Sequence, residues 1–203
     1  RKMVGHIDNA VIFYHEPYAS SASEMVTELA QYFNTKQQLG RVEAEAVLAG
    51  IMLDTKNFII GTGARTFEAA AYLRKLGADM VEVRKLFSTS MDDYQNRSKL
   101  VSSAEIYRGC AIASSSAGVG DIKIVAPQAA DELLSISDVD ASFVLYEYDG
   151  GVSMSARSLG AMNVQLIMEA LGGGGHQTMA GAQLAGVSME NARQQLLEAI
   201  DNF

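Results

Sequence analysis

The most informative segment of this sequence is Leu171-Gly172-Gly173-Gly174-Gly175-His176-Gln177-Thr178-Met179-Ala180-Gly181-Ala182. Its four consecutive glycines lack Cβ atoms and adopt positive φ at little cost, so successive amides can turn toward one anion. The next residue, His176, adds a side chain whose charge can change near neutral pH. The pattern favours a phosphate-binding loop, and a flexible surface turn is the alternative interpretation.

Regular elements are expected on both sides of this glycine run, residues 172–175. Residues 163–171 have a helical hydrophobic period, and Asn163 is placed to cap that helix. Residues 179–184 form an apolar run that is typical of a strand. The sequence therefore predicts the order helix, glycine loop, strand.

A predicted β-hairpin precedes that helix and supplies further candidate ligands. Residues 143–148 indicate one strand, Asp149-Gly150-Gly151 a turn, and residues 152–157 the returning strand. Alternation along the second strand puts Ser155 and Arg157 on the same face, and arginine presents a planar fork of donors suited to phosphate. The residues expected to converge on one anion-binding cleft are Ser155, Arg157, Asn163, Gly172, Gly173, Gly174, Gly175 and His176. This set contains no evident nucleophile or general base.

Composition limits the class of protein. The 203 residues are 48% hydrophobic and 20% charged with only 2 prolines, which indicates a globular chain with one large or two small domains. A formal net charge of −8 argues against a broad basic surface for long nucleic acid, but not against a small anionic ligand. The single cysteine, Cys110, excludes an internal disulfide, fits a reducing compartment and lies in an apolar run that predicts a buried thiol.

The first half of the chain contains one candidate metal ligand. Residues 42–53 are rich in alanine and leucine-like residues and predict a buried helix that ends at Asp54. Asp54 either terminates this helix or binds a metal ion at the floor of a cleft, because carboxylates are rarely buried without a partner. The nearby residues that could add ligands match no metal-binding spacing: His6, Asp8, His15 and Glu16.

Short sequence patterns predict a strand and two helix starts in the first half of the chain. Residues 11–14 favour a strand, and Ser21 is a candidate helix N-cap, with a substrate contact as the alternative. Thr66 is a candidate N-cap for a helix that runs through Leu76. Arg65, just before it, either positions a phosphate or forms a surface salt bridge.

The apolar pattern weakens in the middle of the chain, where we expect a domain boundary. Residues 92–101 are polar with a helical period. The predicted division is a first domain at residues 1–87, a linker helix at 88–104 and a second domain at 105–203. The second domain contains a further predicted strand at residues 106–114.

Several segments, taken together and in this order, closely resemble the C-terminal part of the DHH-family phosphoesterases, specifically the GdpP-type cyclic-di-AMP phosphodiesterases of Gram-positive bacteria. The resemblance extends over essentially the whole chain. The segments are Glu16-Pro17-Tyr18-Ala19-Ser20-Ser21, Ala49-Gly50-Ile51-Met52-Leu53-Asp54-Thr55-Lys56-Asn57-Phe58, Arg65-Thr66-Phe67-Glu68-Ala69-Ala70, Ser155-Ala156-Arg157-Ser158 and Gly172-Gly173-Gly174-Gly175-His176.

The resemblance implies an α/β fold with a truncated DHH catalytic domain, a linker helix and a smaller DHH-associated substrate-binding domain. It implies two Mn²⁺ ions and hydrolysis of cyclic di-AMP to the linear dinucleotide pApA. By motif, Asp54 would be a manganese ligand. The glycine run and His176 would hold the substrate phosphate, and Arg157 with Ser155 would contact phosphate or ribose.

One departure bears on activity: the Asp-His-His triplet that names the family does not occur in this sequence. We therefore expect a fragment that is inactive alone. The resemblance implies a parent anchored in the cell membrane, with this part in the cytoplasm. A homodimer is left open. The alternative functions are degradation of short oligoribonucleotides or pApA, and a non-catalytic nucleotide-binding module.

Overall fold

The computed structural model describes residues 9–32, 39–115, 121–148 and 150–203. The chain divides into two compact units, Arg1–Ser88 and Thr89–Phe203. Asp149 of the predicted hairpin turn, and His6 and Asp8, lie outside the described residues. Across the described ranges, every helix is too short or too polar to cross a membrane.

The described part of the first unit is helical. Its helices are α1 (Ala22–Tyr32), α2 (Arg41–Asp54), α3 (Ala64–Lys75) and α4 (Met80–Lys85). They bury a small core made by Ala44, Leu48, Ile51, Ala69, Leu73, Ala78 and Val83. The strand predicted at residues 11–14 is wrong, because these residues are irregular and exposed in the structure. A β-favouring run forms a strand only where it can pair with a neighbour.

The helix predicted to begin at Thr66 begins earlier. Gly63 is the N-cap of α3, and its amide donates to the Thr66 hydroxyl at 3.1 Å. Thr66 is therefore the third residue of the helix, and it is buried. The prediction of Ser21 as a cap is confirmed, since the Glu24 amide donates to its hydroxyl at 3.0 Å.

The second unit is a six-stranded sheet with helices on both faces. The strand order is β1-β2-β3-β4-β6-β5, and only β2 and β3 are parallel among these pairs. The strands are β1 (Glu105–Tyr107), β2 (Cys110–Ser115), β3 (Ala141–Tyr148), β4 (Gly151–Ser158), β5 (Gly174–His176) and β6 (Met179–Ala185). The helices are α5 (Met91–Ser102), α6 (Ile122–Leu133), α7 (Val164–Ala170) and α8 (Met189–Asp201).

Two hydrophobic clusters cover opposite sides of this sheet. Phe143 and Met154 pack with Ile167 of α7 and Leu196 of α8 on one side. On the other side, residues of β2 and β3 pack with α6 and with Leu100 of α5. The helix predicted within residues 88–104 is α5, and its Leu100 and Val101 pack against the cluster formed by α6 and the sheet.

The single strand predicted at residues 106–114 is in fact the hairpin β1–β2. Arg108 and Gly109 form its turn with φ values of 48° and 75°, both left-handed. Cys110 follows and is fully buried, as predicted. An arginine is an uncommon residue for a left-handed turn position, so composition gave little indication of this break.

Candidate functional site

The glycine run begins as the C-terminal cap of α7. The Gly172 amide donates to the Glu169 carbonyl at 3.0 Å, and the Gly173 amide donates to the Met168 carbonyl at 2.8 Å. Gly172 has a φ of 76°, and these two bonds around a left-handed residue form a Schellman motif. Two of the four amides that the sequence offered to an anion are therefore used to end the helix.

Strand pairing brings the candidate ligands of β4 and β5 onto one side of the sheet, because directly opposed residues of neighbouring strands point the same way. One row across β5, β6 and β4 consists of Gly174, Gly181 and Ser155. The adjacent row consists of His176, Met179 and Arg157. We call these six residues the β4–β6–β5 face.

The β4–β6–β5 face lies on the side of the sheet that α6 partly covers. Ala180 and Ala182 of β6 point the other way, into the cluster with α7 and α8. On the face itself, His176 is exposed and Met179 is 48% exposed. The face is therefore accessible at its outer edge, on β5 and β6, whereas Ser155 and Arg157 on β4 are buried at 7% and 8% exposure.

Arg157 is the buried cation of this face. Its side chain is 10% exposed, and its Nη1 donates to Ser155 Oγ at 3.3 Å and to the Ala156 carbonyl at 2.9 Å. Its Nε lies 3.3 Å from Asp131 Oδ1 but forms no hydrogen bond among the described residues. Burial lowers the pKa of Arg157, and the Asp131 carboxylate only partly opposes this. The cation therefore has incomplete compensation of its charge.

The structure adds two residues that sequence reasoning missed. Asp131, on α6, holds the buried guanidinium of Arg157. Gly181 lies between Gly174 and Ser155 in the first row of the face. Gly181 lies in the strand predicted at residues 179–184, directly after the glycine run, so the sequence could have indicated it. Asp131 could be found only from the packing of α6 on β4.

Asn163 is not brought to this face. Its side chain accepts a hydrogen bond from the Gln165 amide at 3.1 Å and caps α7, as predicted. The neighbouring Val164 is buried in the cluster on the opposite side of the sheet. Asn163 therefore positions the helix, while the candidate ligands Ser155, Arg157 and His176 stay together on the other side.

Asp54 lies in the first unit, where it is the last residue of α2 and exposed. The last turn of α2 carries no basic residue, so the C-terminal end of the helix dipole opposes this carboxylate. After Thr55, the backbone passes through three left-handed residues, Lys56, Asn57 and Phe58, with φ of 47°, 58° and 65°. Residues with a side chain rarely adopt this conformation, because it costs roughly 1–2 kcal/mol of conformational energy per residue.

Thr55 holds this unusual turn in place. Its buried hydroxyl donates to the Ile51 carbonyl at 2.7 Å and accepts from the Phe58 amide at 3.0 Å. Its carbonyl accepts from the amides of Ile59 and Ile60 at 2.9 and 3.0 Å. Strained backbone that is this well fixed is typical of a functional site.

The described residues do not by themselves form a metal centre. Within ranges 9–32, 39–115, 121–148 and 150–203, no three His, Cys, Asp or Glu side chains are grouped so that they could hold an ion. Asp54 thus remains a single candidate ligand, and the donor set present does not fit a pair of manganese ions, which needs several carboxylates and histidines.

Arg65 is held by anionic neighbours of the first unit. Its Nε and Nη2 each lie 2.7 Å from a carboxylate oxygen of Glu28, and Nη1 lies 3.4 Å from Glu16. The hydrogen bonds from Arg65 lower the pKa of the Glu28 carboxyl. Of the two interpretations of Arg65, the structure shows the salt bridge.

Comparison with known proteins identifies the class. Residues 112–203 match the DHHA1 domain. The chain is 46% identical over 205 residues to the cyclic-di-AMP phosphodiesterase PdeA of Listeria monocytogenes, which covers 100% of the chain and 31% of that protein. It is 50% identical over 199 residues to the cyclic-di-AMP phosphodiesterase GdpP of Geobacillus thermodenitrificans, with 97% and 30% covered.

A solved structure supports the fold. The exopolyphosphatase-related protein of Bacteroides fragilis superposes with a TM-score of 0.87 at 24% identity, covering 98% of this chain and 62% of that one. This likeness concerns the fold alone.

Residues 112–203, within the second unit, are a DHHA1 domain. Along its whole length the chain is similar to cyclic-di-AMP phosphodiesterases of the GdpP and PdeA type, of which it spans about a third.

Proposed function

We propose that this chain is the substrate-binding part of a manganese-dependent phosphodiesterase that hydrolyses cyclic di-AMP to pApA. The observation that carries the proposal is the buried guanidinium of Arg157 on the β4–β6–β5 face, whose outer edge carries His176 and Gly174. A partly dehydrated arginine beside an accessible strand edge is well suited to a phosphate group.

The roles of the individual residues follow from their positions. Arg157 and Ser155 hold a phosphate or ribose oxygen, and the imidazole of His176 adds a donor from the strand edge. Gly172, Gly173, Gly174 and Gly175 shape the loop, and the first two do so by capping α7. The function of the relatives supports cyclic di-AMP as the ligand.

Asp54 is proposed as a manganese ligand on two grounds. The resemblance assigns it, and its position against the dipole of α2, beside a strained turn, is unfavourable for stability alone. Manganese itself rests on the resemblance, and hydrolysis is assigned to the complete protein rather than to these residues. The cytoplasmic location, the membrane-anchored parent and the homodimer stay predictions.

The test compares Arg157→Gln with Arg193→Ala, an arginine that pairs with Glu105 away from this face. Binding of cyclic di-AMP is measured by calorimetry in chelator, with melting temperature as the control for folding. A charge-assisted hydrogen bond is worth about 1.5–3 kcal/mol, so Arg157→Gln should weaken binding about tenfold or more. Arg193→Ala should leave it unchanged.

Equal affinity of the wild type and a folded Arg157→Gln variant for cyclic di-AMP would show that the guanidinium does not bind this ligand. Absence of binding by the wild type would count against the nucleotide-binding role altogether. Turnover of cyclic di-AMP and of pApA by the full-length protein then ranks the phosphodiesterase against the alternative that degrades short linear nucleotides.

A further inference from the structure

The four glycines of the run differ in what the fold requires of them. A Cβ atom on Gly173 would lie 2.2 Å from the Gly181 carbonyl oxygen, and one on Gly175 would lie 2.5 Å from Ala180 Cα. Gly175 also has a φ of 152°, and Gly172 has a left-handed φ of 76°. Packing or backbone conformation therefore explains each of these three glycines.

Gly174 has neither explanation. Its φ lies outside the left-handed range, and a Cβ built on it meets no atom of the described residues within 4 Å. Glycine in a strand is unfavourable because it costs conformational entropy and packs no side chain. A larger residue at this position would thus be compatible with the chain's own structure and would favour the strand.

The space above Gly174 opens onto the β4–β6–β5 face. Gly174 faces Gly181 and then Ser155 across two strand spacings, a width of about 9.5 Å at ~4.8 Å per strand. Ser155, at the far end of this row, accepts a hydrogen bond at its Oγ from the guanidinium of Arg157 in the adjacent row. Among the described residues, the buried Nε of Arg157 has no hydrogen-bond partner, although the side chain is only 10% exposed.

We propose that Gly174 is the glycine that the ligand requires: its missing side chain lets an anionic group of the nucleotide lie flat on β6, between the backbone of β5 and the Arg157 guanidinium. This inference rests on the nucleotide-binding role proposed above. The fold requires the other three glycines of the run, so only Gly174 is assigned to ligand recognition.

The test uses two neighbouring substitutions with opposite expectations, Gly174→Ala and Gly175→Ala, both in this chain and in the full-length protein. Melting temperature and binding of cyclic di-AMP in chelator are measured for each. Gly174→Ala should melt at the wild-type temperature or slightly higher and bind at least tenfold more weakly. Gly175→Ala should melt well below wild type, because its Cβ would overlap β6.

Each other outcome overturns the inference. A Gly174→Ala protein as unstable as Gly175→Ala would show that the fold does require this glycine. A stable Gly174→Ala protein with wild-type affinity would show that the ligand does not require this glycine. The proposed function would stand in that case, because the wild type binds the nucleotide. Failure of the wild type to bind would remove the proposed function together with this inference.

Discussion

Arg157 carries a charge that its surroundings only partly balance, since its ion-pair partner Asp131 is itself 41% exposed. Sequence reasoning placed Arg157 and Ser155 on one face from strand alternation alone, and the structure confirms that placement. It could not show that Asp131 anchors the guanidinium, because that contact depends on how α6 packs on the sheet. The same limit applied to Arg65, whose two interpretations only the observed salt bridge with Glu28 separates.

The buried thiol of Cys110 should react slowly in the folded protein. Burial raises the pKa of its thiol from 9.0 to about 11, with the Asp140 carboxylate as the lesser cause. Because the thiolate is the reactive form, the folded protein should resist alkylation at pH 9, whereas the unfolded chain should react readily. The rate of iodoacetamide labelling with and without denaturant measures this.

The raised pKa of Cys110 also makes the free energy of unfolding depend on pH. The folded state holds the thiol proton more tightly than the unfolded state, so this contribution is full below pH 9 and is lost as pH rises through about 11. Labelling of the native protein at pH 9 as fast as that of the unfolded chain would contradict the buried thiol.

Among the elements, α1 and α3 are joined by a polar contact that hydrophobic periodicity does not reveal. Glu24 is 2% exposed, and its carboxylate accepts from the Thr66 hydroxyl at 2.6 Å and also from the Ser20 hydroxyl. The Ser21 cap was predicted from local spacing alone, which gives no indication that the side chain of Glu24 reaches across to α3. The apolar Val26 and Leu29 of the same helix are 50% and 37% exposed.

We therefore expect Thr66→Val to destabilise the first unit by about 1–3 kcal/mol, because it leaves the Gly63 amide and the Glu24 carboxylate without this hydroxyl. Thr62→Val is the matched control, since Thr62 is only half-buried and its hydroxyl bonds the Ile60 carbonyl at 3.2 Å. It should change the free energy of unfolding by less than about 0.5 kcal/mol. Urea denaturation gives both values, and equal effects would argue against the buried contact.

Strand and helix order near the glycine run was largely predictable, and the exact use of the run was not. The β3–β4 strands, the α7 cap at Asn163 and the strand after the run were all indicated by local signals. The Schellman motif at Gly172 and Gly173 was not, because a glycine repeat looks the same whether its amides bind a helix or a ligand. The hydrogen bonds, the φ values and the packing against β6 distinguish the four positions.

For the molecule as a whole, a net charge of −8 means that an anionic ligand must be held by local groups rather than by the overall field. The β4–β6–β5 face provides such a local arrangement, with one buried cation beside a row of small residues. Motif resemblance predicted the DHH-associated domain and the cyclic-di-AMP phosphodiesterase relatives that the comparisons show. It could not assign the face of the sheet, because that assignment requires the register of β4, β6 and β5.

The most direct test of this account is a titration of the isotopically labelled 203-residue chain with cyclic di-AMP in chelator, followed by amide NMR shifts. We predict that the largest changes fall on Ser155, Arg157, Gly174, His176 and Gly181. Changes centred on α7 and α8, on the opposite side of the sheet, or no change at saturating ligand, would contradict the proposed binding face.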